Sequence, residues 1–137
     1  MDPRQPTSRT PASERLGLWG PVLIYCALIF FLSSVSEVPA LPGGISDKTA
    51  HTLLYSGLGF LVARALTGGL GRPVPLRVVV IVVLFAGCYG LSDEVHQLFV
   101  PRREFDLKDM AADVVGGGIG SGLLWLWSIL RRFRHAL

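Results

Sequence analysis

Charged residues are scarce in this chain. Asp, Glu, Lys and Arg make up 17% of its 137 residues, against about 25% in typical soluble domains, while hydrophobic residues make up 50%. A water-soluble fold of this length would have too little polar surface to cover so much apolar material. The composition therefore argues against an ordinary soluble domain and favours a single domain embedded in a membrane.

Cysteines and the common catalytic motifs are also scarce or missing. The two cysteines, Cys26 and Cys88, each lie inside an apolar segment, where cysteine usually acts as a small buried hydrophobe. The sequence has no CxxC pair, no HExxH and no G-x-S-x-G. Its cations are not interleaved with aromatic residues, as they often are in nucleic-acid-binding surfaces. We therefore predict no metal centre, no cofactor and no nucleic-acid partner.

Four apolar stretches dominate what is present. The 21 residues from Leu16 to Ser36 carry no charge, and about 20 such residues are enough to cross a membrane. We predict an all-α fold, an integral membrane four-helix bundle over residues 16–131, with a disordered cytoplasmic tail at 1–15 and a basic cytoplasmic tail at 132–137. The rival interpretation of the first stretch is a cleaved signal peptide, but the stretch is long for that role.

The arginines predict how this bundle is oriented. Cytoplasmic loops of membrane proteins carry an excess of Lys and Arg. Nine arginines fall in the two tails and in the connection between the second and third helices, whereas four cations fall on the other side: Lys48, Arg102, Arg103 and Lys108. We therefore expect both termini in the cytoplasm and a multi-pass protein of a bacterial cytoplasmic membrane.

Three of the four stretches are too short to cross a membrane without including ionisable residues. The third has 15 uncharged residues, from Val78 to Ser92, or about 22 Å of helix against a hydrocarbon core of about 30 Å. Extending each stretch to 20 residues places acids or a histidine within the outer half of the membrane. Ionised groups there normally face partners or a water-filled cavity, so we predict a polar cluster at the outer face.

Helical spacing places these residues on inward faces. Asp47, His51 and Tyr55 share one face of the second helix, and Tyr89, Asp93 and His96 share one face of the third, with Gly90, Glu94 and Gln97 beside it. On the fourth helix the stripe of Asp106, Asp109 and Asp113 continues into a glycine stripe that is typical of close helix packing; these glycines are Gly116, Gly117 and Gly120.

The cluster resembles the VanZ-like family of small bacterial membrane proteins. Three stretches carry the resemblance: Asp47-Lys48-Thr49-Ala50-His51 followed by Tyr55, YGLSDEVHQLFVPRR from Tyr89 to Arg103, and Asp109-Met110-Ala111-Ala112-Asp113 before a glycine-rich helix. Ser33 and Ser34 match the family's ending of the first helix. Two residues depart from the pattern: Arg102 stands where glycine is common, and Asp113 stands where asparagine is common.

The resemblance implies a role in the cell envelope, because the family is named for a protein that lowers susceptibility to the lipoglycopeptide teicoplanin. One hypothesis is a pocket that binds membrane lipids, a lipid-linked cell-wall component or a lipoglycopeptide through an anionic group. Its binding residues would be Lys48, His96, Gln97, Arg103, Asp109 and Asp113, with His51 and Arg102 as further cations. The loop that carries Arg102 and Arg103 would either lie in the membrane interface or cover this pocket.

Other hypotheses remain open on the residues alone. In a membrane-embedded acid–base enzyme, His51 would be the general base, Asp47 would orient it, and Glu94 or Asp93 would carry a second proton. A purely structural cluster, a metal site using both outer histidines, and a transporter are further alternatives. The metal site is disfavoured by the ligand spacing, and the transporter by the confinement of the acids to one side.

Overall fold

The computed structural model of the chain describes residues 11–36 and 46–134. Its four helices are α1 Pro11–Ser33, α2 Asp47–Thr67, α3 Leu76–Gln97 and α4 Leu107–Arg134. No strand occurs in these two ranges, so the prediction of an all-α fold with four helices is confirmed.

Two helices run further than the uncharged stretches that predicted them. α1 begins at Pro11, five residues before Leu16, because proline is well suited to the first turn of a helix. α4 continues to Arg134, and its last turn carries three arginines that interact favourably with the negative end of the helix dipole. The remaining parts of the predicted tails, residues 1–10 and 135–137, lie outside the described residues.

Three helices, α1, α3 and α4, are long and apolar enough to cross a membrane. Their outward faces carry large exposed hydrophobic side chains, among them Leu23 and Phe31 on α1, Leu84 on α3 and Leu123 on α4. An apolar surface of this extent is unusual on a soluble monomer. Lipid is therefore the natural solvent for these faces.

α2 is less apolar because it is the central helix of the bundle. It contacts α1, α3 and α4, and from Ala50 to Ala65 the one exposed side chain is that of Leu53. A helix covered by protein on most sides needs little lipid-facing apolar surface. It can therefore carry hydroxyl, imidazole and glycine residues that an outer helix could not.

Glycines let α4 lie directly against α2, as their spacing predicts. A Cβ atom on Gly116 would lie 2.5 Å from the carbonyl oxygen of Thr52, and one on Gly120 would overlap the carbonyl oxygen of Ser56. Gly59 on α2 faces the backbone of Gly117 in the same way. The backbones of the two helices therefore touch. This brings α2 and α4 side chains that lie nearer the beginnings of both helices within hydrogen-bonding distance of each other.

The buried acids and most of the arginines lie at opposite ends of the bundle. At one end, the polar end, α1 and α3 finish and α2 and α4 begin; Ser33 of α1 hydrogen-bonds Asp93 of α3 there. At the other, the basic end, Arg64 donates to the carbonyl of Gly17 at 3.3 Å, and Arg131 donates to the carbonyl of Gly71.

The α2–α4 contact can be tested by substituting two glycines of the same helix. Gly120→Ala places a methyl group on the backbone of Ser56, so we expect it to lower the free energy of unfolding by about 3 kcal/mol. Gly122→Ala is the matched control: nothing lies within 4 Å of its Cβ position, and alanine is the better helix former by about 0.5–1 kcal/mol. Unfolding in detergent measures both, and equal effects would contradict the packing.

Candidate functional site

The innermost contact at the polar end joins His51 of α2 to Asp113 of α4. The imidazole Nδ1 lies 2.8 Å from Oδ1 of Asp113, and Asp113 is completely buried. The sequence predicted Asp47 as the carboxylate that orients His51. Asp113 takes that contact instead, because it lies on the packed α2–α4 face, whereas Asp47 is exposed at the first position of α2.

A second contact between the same helices is made by Lys48. Its ammonium nitrogen lies 2.8 Å from Oδ2 of Asp106 and 2.7 Å from Oδ1 of Asp109. Asp109 is buried and Asp106 is half-exposed. The hydrogen bond from Lys48 holds the pKa of the Asp106 carboxyl below its ordinary range, and so this carboxylate stays ionised at neutral pH.

Glu94 of α3 connects that helix to the beginning of α4. Its side chain is fully buried, and its Oε2 accepts the backbone N–H of Asp106 at 2.7 Å. The amide of Gln97 approaches both Glu94 and Asp93 at 3.5 Å. Glu94 therefore orders the chain as it enters α4, and it does not line the cavity described below.

The two serines at the end of α1 fasten that helix to α3. Ser33 donates to Oδ1 of Asp93 at 2.6 Å, and Ser34 hydrogen-bonds Nε2 of His96 at 2.9 Å. The His96 ring also packs on Phe30, with 4.2 Å between the ring centroids. His96, predicted as a ligand-binding residue, is thus placed against α1 and does not line the cavity described below.

A cavity of about 280 Å³ opens beside this network at the polar end. One part of its wall is apolar and is formed by side chains of α1 and α2: Ile29, Leu32, Val35, Ala50 and Leu54. The other part is polar: Ser33, Asp47, His51, Tyr55, Asp93, Gln97 and Arg103. The structure therefore divides the predicted site residues into those that line the cavity and those that hold the helices around it, which are Lys48, Glu94, His96, Asp109 and Asp113.

Comparison with known proteins places this arrangement in a family. The model of the VanZ/LLP1 family matches residues 22–128, a range that includes every residue of the network and of the cavity. The chain belongs to the VanZ/LLP1 family. Its apolar helices and this membership make it a membrane protein. Searches of curated proteins and of solved structures found no match.

The wall formed by α1 is the part of the site that the residue pattern did not reveal. In α1 the buried residues are Val22, Ile29 and Ser33, which share a face, but from Leu16 to Leu32 the helix is apolar all round. Hydrophobic periodicity therefore cannot distinguish the face toward the cavity from the face toward lipid. The weak signal was Ser33, a hydroxyl one turn after Ile29.

The backbone conformation at Arg102 shows why glycine is common at this position in the VanZ-like pattern. The backbone φ of Arg102 is 65°, the left-handed region that glycine adopts without steric cost. Glycine is thus the natural residue at this turn, and arginine occupies it with some backbone strain. The turn positions Arg103, whose Nε donates to the carbonyl of Val35 at 3.2 Å.

Asp113 is the other departure, and its burial predicts a strong coupling with His51. His51→Ala leaves a buried carboxylate without its partner, so we expect it to lower the free energy of unfolding by about 3–5 kcal/mol. Asp113→Asn, added to His51→Ala, removes the charge and recovers much of that loss. A double-mutant cycle in detergent measures this, and simple additivity of the two changes would contradict the pair.

The turn at Arg102 predicts a difference between two substitutions that remove the same side chain. Arg102→Gly and Arg102→Val both lose whatever the arginine contacts, but only valine has to place a β-branched side chain in the left-handed region. We expect the glycine variant to be more stable by about 1–2 kcal/mol. Thermal unfolding of the two purified variants compares them directly; a more stable valine variant would rule out this backbone conformation.

Proposed function

We propose that this chain is an envelope protein of the bacterial cytoplasmic membrane that holds an amphipathic anionic ligand in the cavity. The ligand would be a lipid-linked cell-wall component or a lipoglycopeptide of the teicoplanin type. The observation that supports this most strongly is the composition of the cavity wall, which combines an apolar surface with the guanidinium of Arg103.

The apolar wall suits a hydrocarbon chain. Leu32 and Leu54 lie on different helices and both line the cavity, so an acyl or prenyl segment could lie between α1 and α2. The volume, about 280 Å³, is close to the lower limit for small-molecule pockets. It would therefore hold the head group and the first part of a chain, with the remainder in the surrounding lipid.

Arg103 is the cation best placed for an anionic head group. Lys48, which the sequence also suggested for this role, is already paired with two carboxylates and does not line the cavity. In residues 11–36 and 46–134 no carboxylate lies within ion-pairing distance of Arg103, and its Nε donates to the uncharged carbonyl of Val35. Its positive charge is therefore not paired with a described carboxylate, and it would be available to a phosphate or carboxylate group.

The proposed orientation puts the cavity at the outer face. Arg64, Arg72 and Arg131 cluster at the basic end of the bundle, and an excess of such residues marks the cytoplasmic side. α1 begins and α4 finishes at that end. The polar end would then face the cell wall, where envelope intermediates and lipoglycopeptides are encountered.

The cavity can be filled without changing its polar residues. Leu54→Trp adds bulk to the cavity wall, and Leu53→Trp adds the same bulk to the exposed neighbouring face of α2. We expect Leu54→Trp to weaken binding of a polyprenyl phosphate at least about tenfold, or about 1.4 kcal/mol. A separate variant, Arg103→Gln, removes the cation and should weaken binding by at least as much. Native mass spectrometry with a polyprenyl phosphate, and separately with teicoplanin, measures this against Leu53→Trp. Unchanged binding in both cavity variants would contradict the proposal.

A membrane-embedded acid–base enzyme is the second candidate, and the His51–Asp113 contact favours it. A buried carboxylate on Nδ1 fixes the ring and leaves its other nitrogen for a proton transfer. Asp93, which also lines the cavity, is a second carboxyl within it.

His51→Gln separates the two candidates. Under the enzyme hypothesis, cells expressing the variant lose any protection against teicoplanin or envelope stress, while the purified variant still binds the ligand. Parallel loss of binding and protection, in a variant whose helicity by circular dichroism equals that of the unmodified protein, would instead favour a binding protein.

A further inference from the structure

We propose that Asp47, His51 and Asp109 form a binding site for a divalent first-row transition metal ion, of which Zn²⁺ fits the donor set best. Each residue offers one ligand atom, and these atoms all lie within 4.8 Å of one another. Ion binding by these three residues does not require that the cavity hold a lipid.

The donor set is the first reason for choosing this class of ion. One imidazole nitrogen with two carboxylate oxygens suits zinc, which accepts both kinds of ligand at about 2.0–2.2 Å. Mg²⁺ and Ca²⁺ prefer oxygen ligands alone. Bonds of this length place ligand atoms about 3–4 Å apart, so the three donors need to close by only about 1 Å around an ion.

The second reason is that a carboxylate already contacts Nδ1 of His51, which leaves Nε2 as the ring nitrogen that would bind the ion. A metal-binding histidine typically bonds to a carboxylate through one ring nitrogen, which fixes the ring and makes the other nitrogen a better ligand. Here Nδ1 contacts the fully buried carboxylate of Asp113 at 2.8 Å. His51 and Asp47 also line the cavity, so a remaining coordination position could be filled by water or by an oxygen of whatever occupies it.

The third reason is the excess of carboxylates at the polar end. Buried charges in proteins are usually paired or coordinate metals. Four acids are buried there, Asp93, Glu94, Asp109 and Asp113. The ammonium of Lys48 contacts Asp109 and the imidazole of His51 contacts Asp113. A divalent cation would compensate more of this charge than Lys48 alone does.

Lys48 provides a specific test of the metal site, because its ammonium group and the metal ion would compete for the carboxylate of Asp109. Its ammonium lies 2.7 Å from Oδ1 of Asp109 and also contacts Asp106. An ion that binds Oδ1 of Asp109 would displace this contact of Lys48 and leave its contact with Asp106, and an ion on either oxygen would be repelled by the ammonium. It follows that Lys48→Met should bind the metal more tightly than the unmodified protein.

The test uses the full chain in detergent, purified without a polyhistidine tag, stripped with a chelator and titrated with Zn²⁺. We expect about one zinc ion per chain. Asp47→Asn, His51→Gln and Asp109→Asn should each weaken binding at least about 100-fold, and Asp113→Asn about 10–100-fold. Lys48→Met should tighten it about tenfold or more. Because Asp47 is exposed, Asp47→Asn leaves no buried charge behind and is the variant least disruptive to folding.

Matched controls are His96→Gln and Glu104→Gln, which remove a histidine and an acid at the same end of the bundle outside the three ligands. Both should keep the affinity of the unmodified protein, and circular dichroism should show equal helicity for all variants. Less than about a tenth of a zinc ion per chain would overturn the proposal. So would equal losses in the controls, or a Lys48→Met variant that binds zinc no better.

Discussion

The carboxylate of Asp113, buried between α2 and α4, determines how the helices pack at the polar end of the bundle. A charge in this position is tolerated only beside a partner, and His51 is that partner at 2.8 Å. The contact requires the two helices to be very close. Gly116 and Gly120 allow this because they bring the backbone of α4 onto that of α2.

The residues at the polar end fall into two groups: some hold the helices together, and others face the cavity. Lys48 and Glu94 fix the beginning of α4, through ion pairs with Asp106 and Asp109 and through the Asp106 backbone N–H. Asp93 serves both purposes, since it accepts from Ser33 and lines the cavity. A structural network therefore surrounds the cavity, and the proposed ligand and ion would bind within it.

Much of this could be predicted from the sequence, because helical spacing reports directly which residues share a face. The glycine stripe and the burial of Asp113 follow from i, i+3, i+4 spacing on one helix. Contacts between helices do not: that His51 meets Asp113 and not Asp47 depends on how α4 is rotated against α2. The apolar cavity wall from Ile29 to Val35 could not be predicted, because a face toward lipid and a face toward a ligand's hydrocarbon carry the same kinds of side chain.

The proposed position of the polar end, with a water-accessible cavity at the outer face, is tested most directly by cysteine labelling in intact cells. With Cys26 and Cys88 replaced by serine, single cysteines at Leu54 and Glu104 should react with a membrane-impermeant thiol reagent from outside. Cysteine at Leu53 should stay unlabelled in lipid, and cysteine at Arg72 should react only after permeabilisation. Labelling of Arg72→Cys from outside, or a Leu54→Cys variant that reacts under neither condition, would contradict the account.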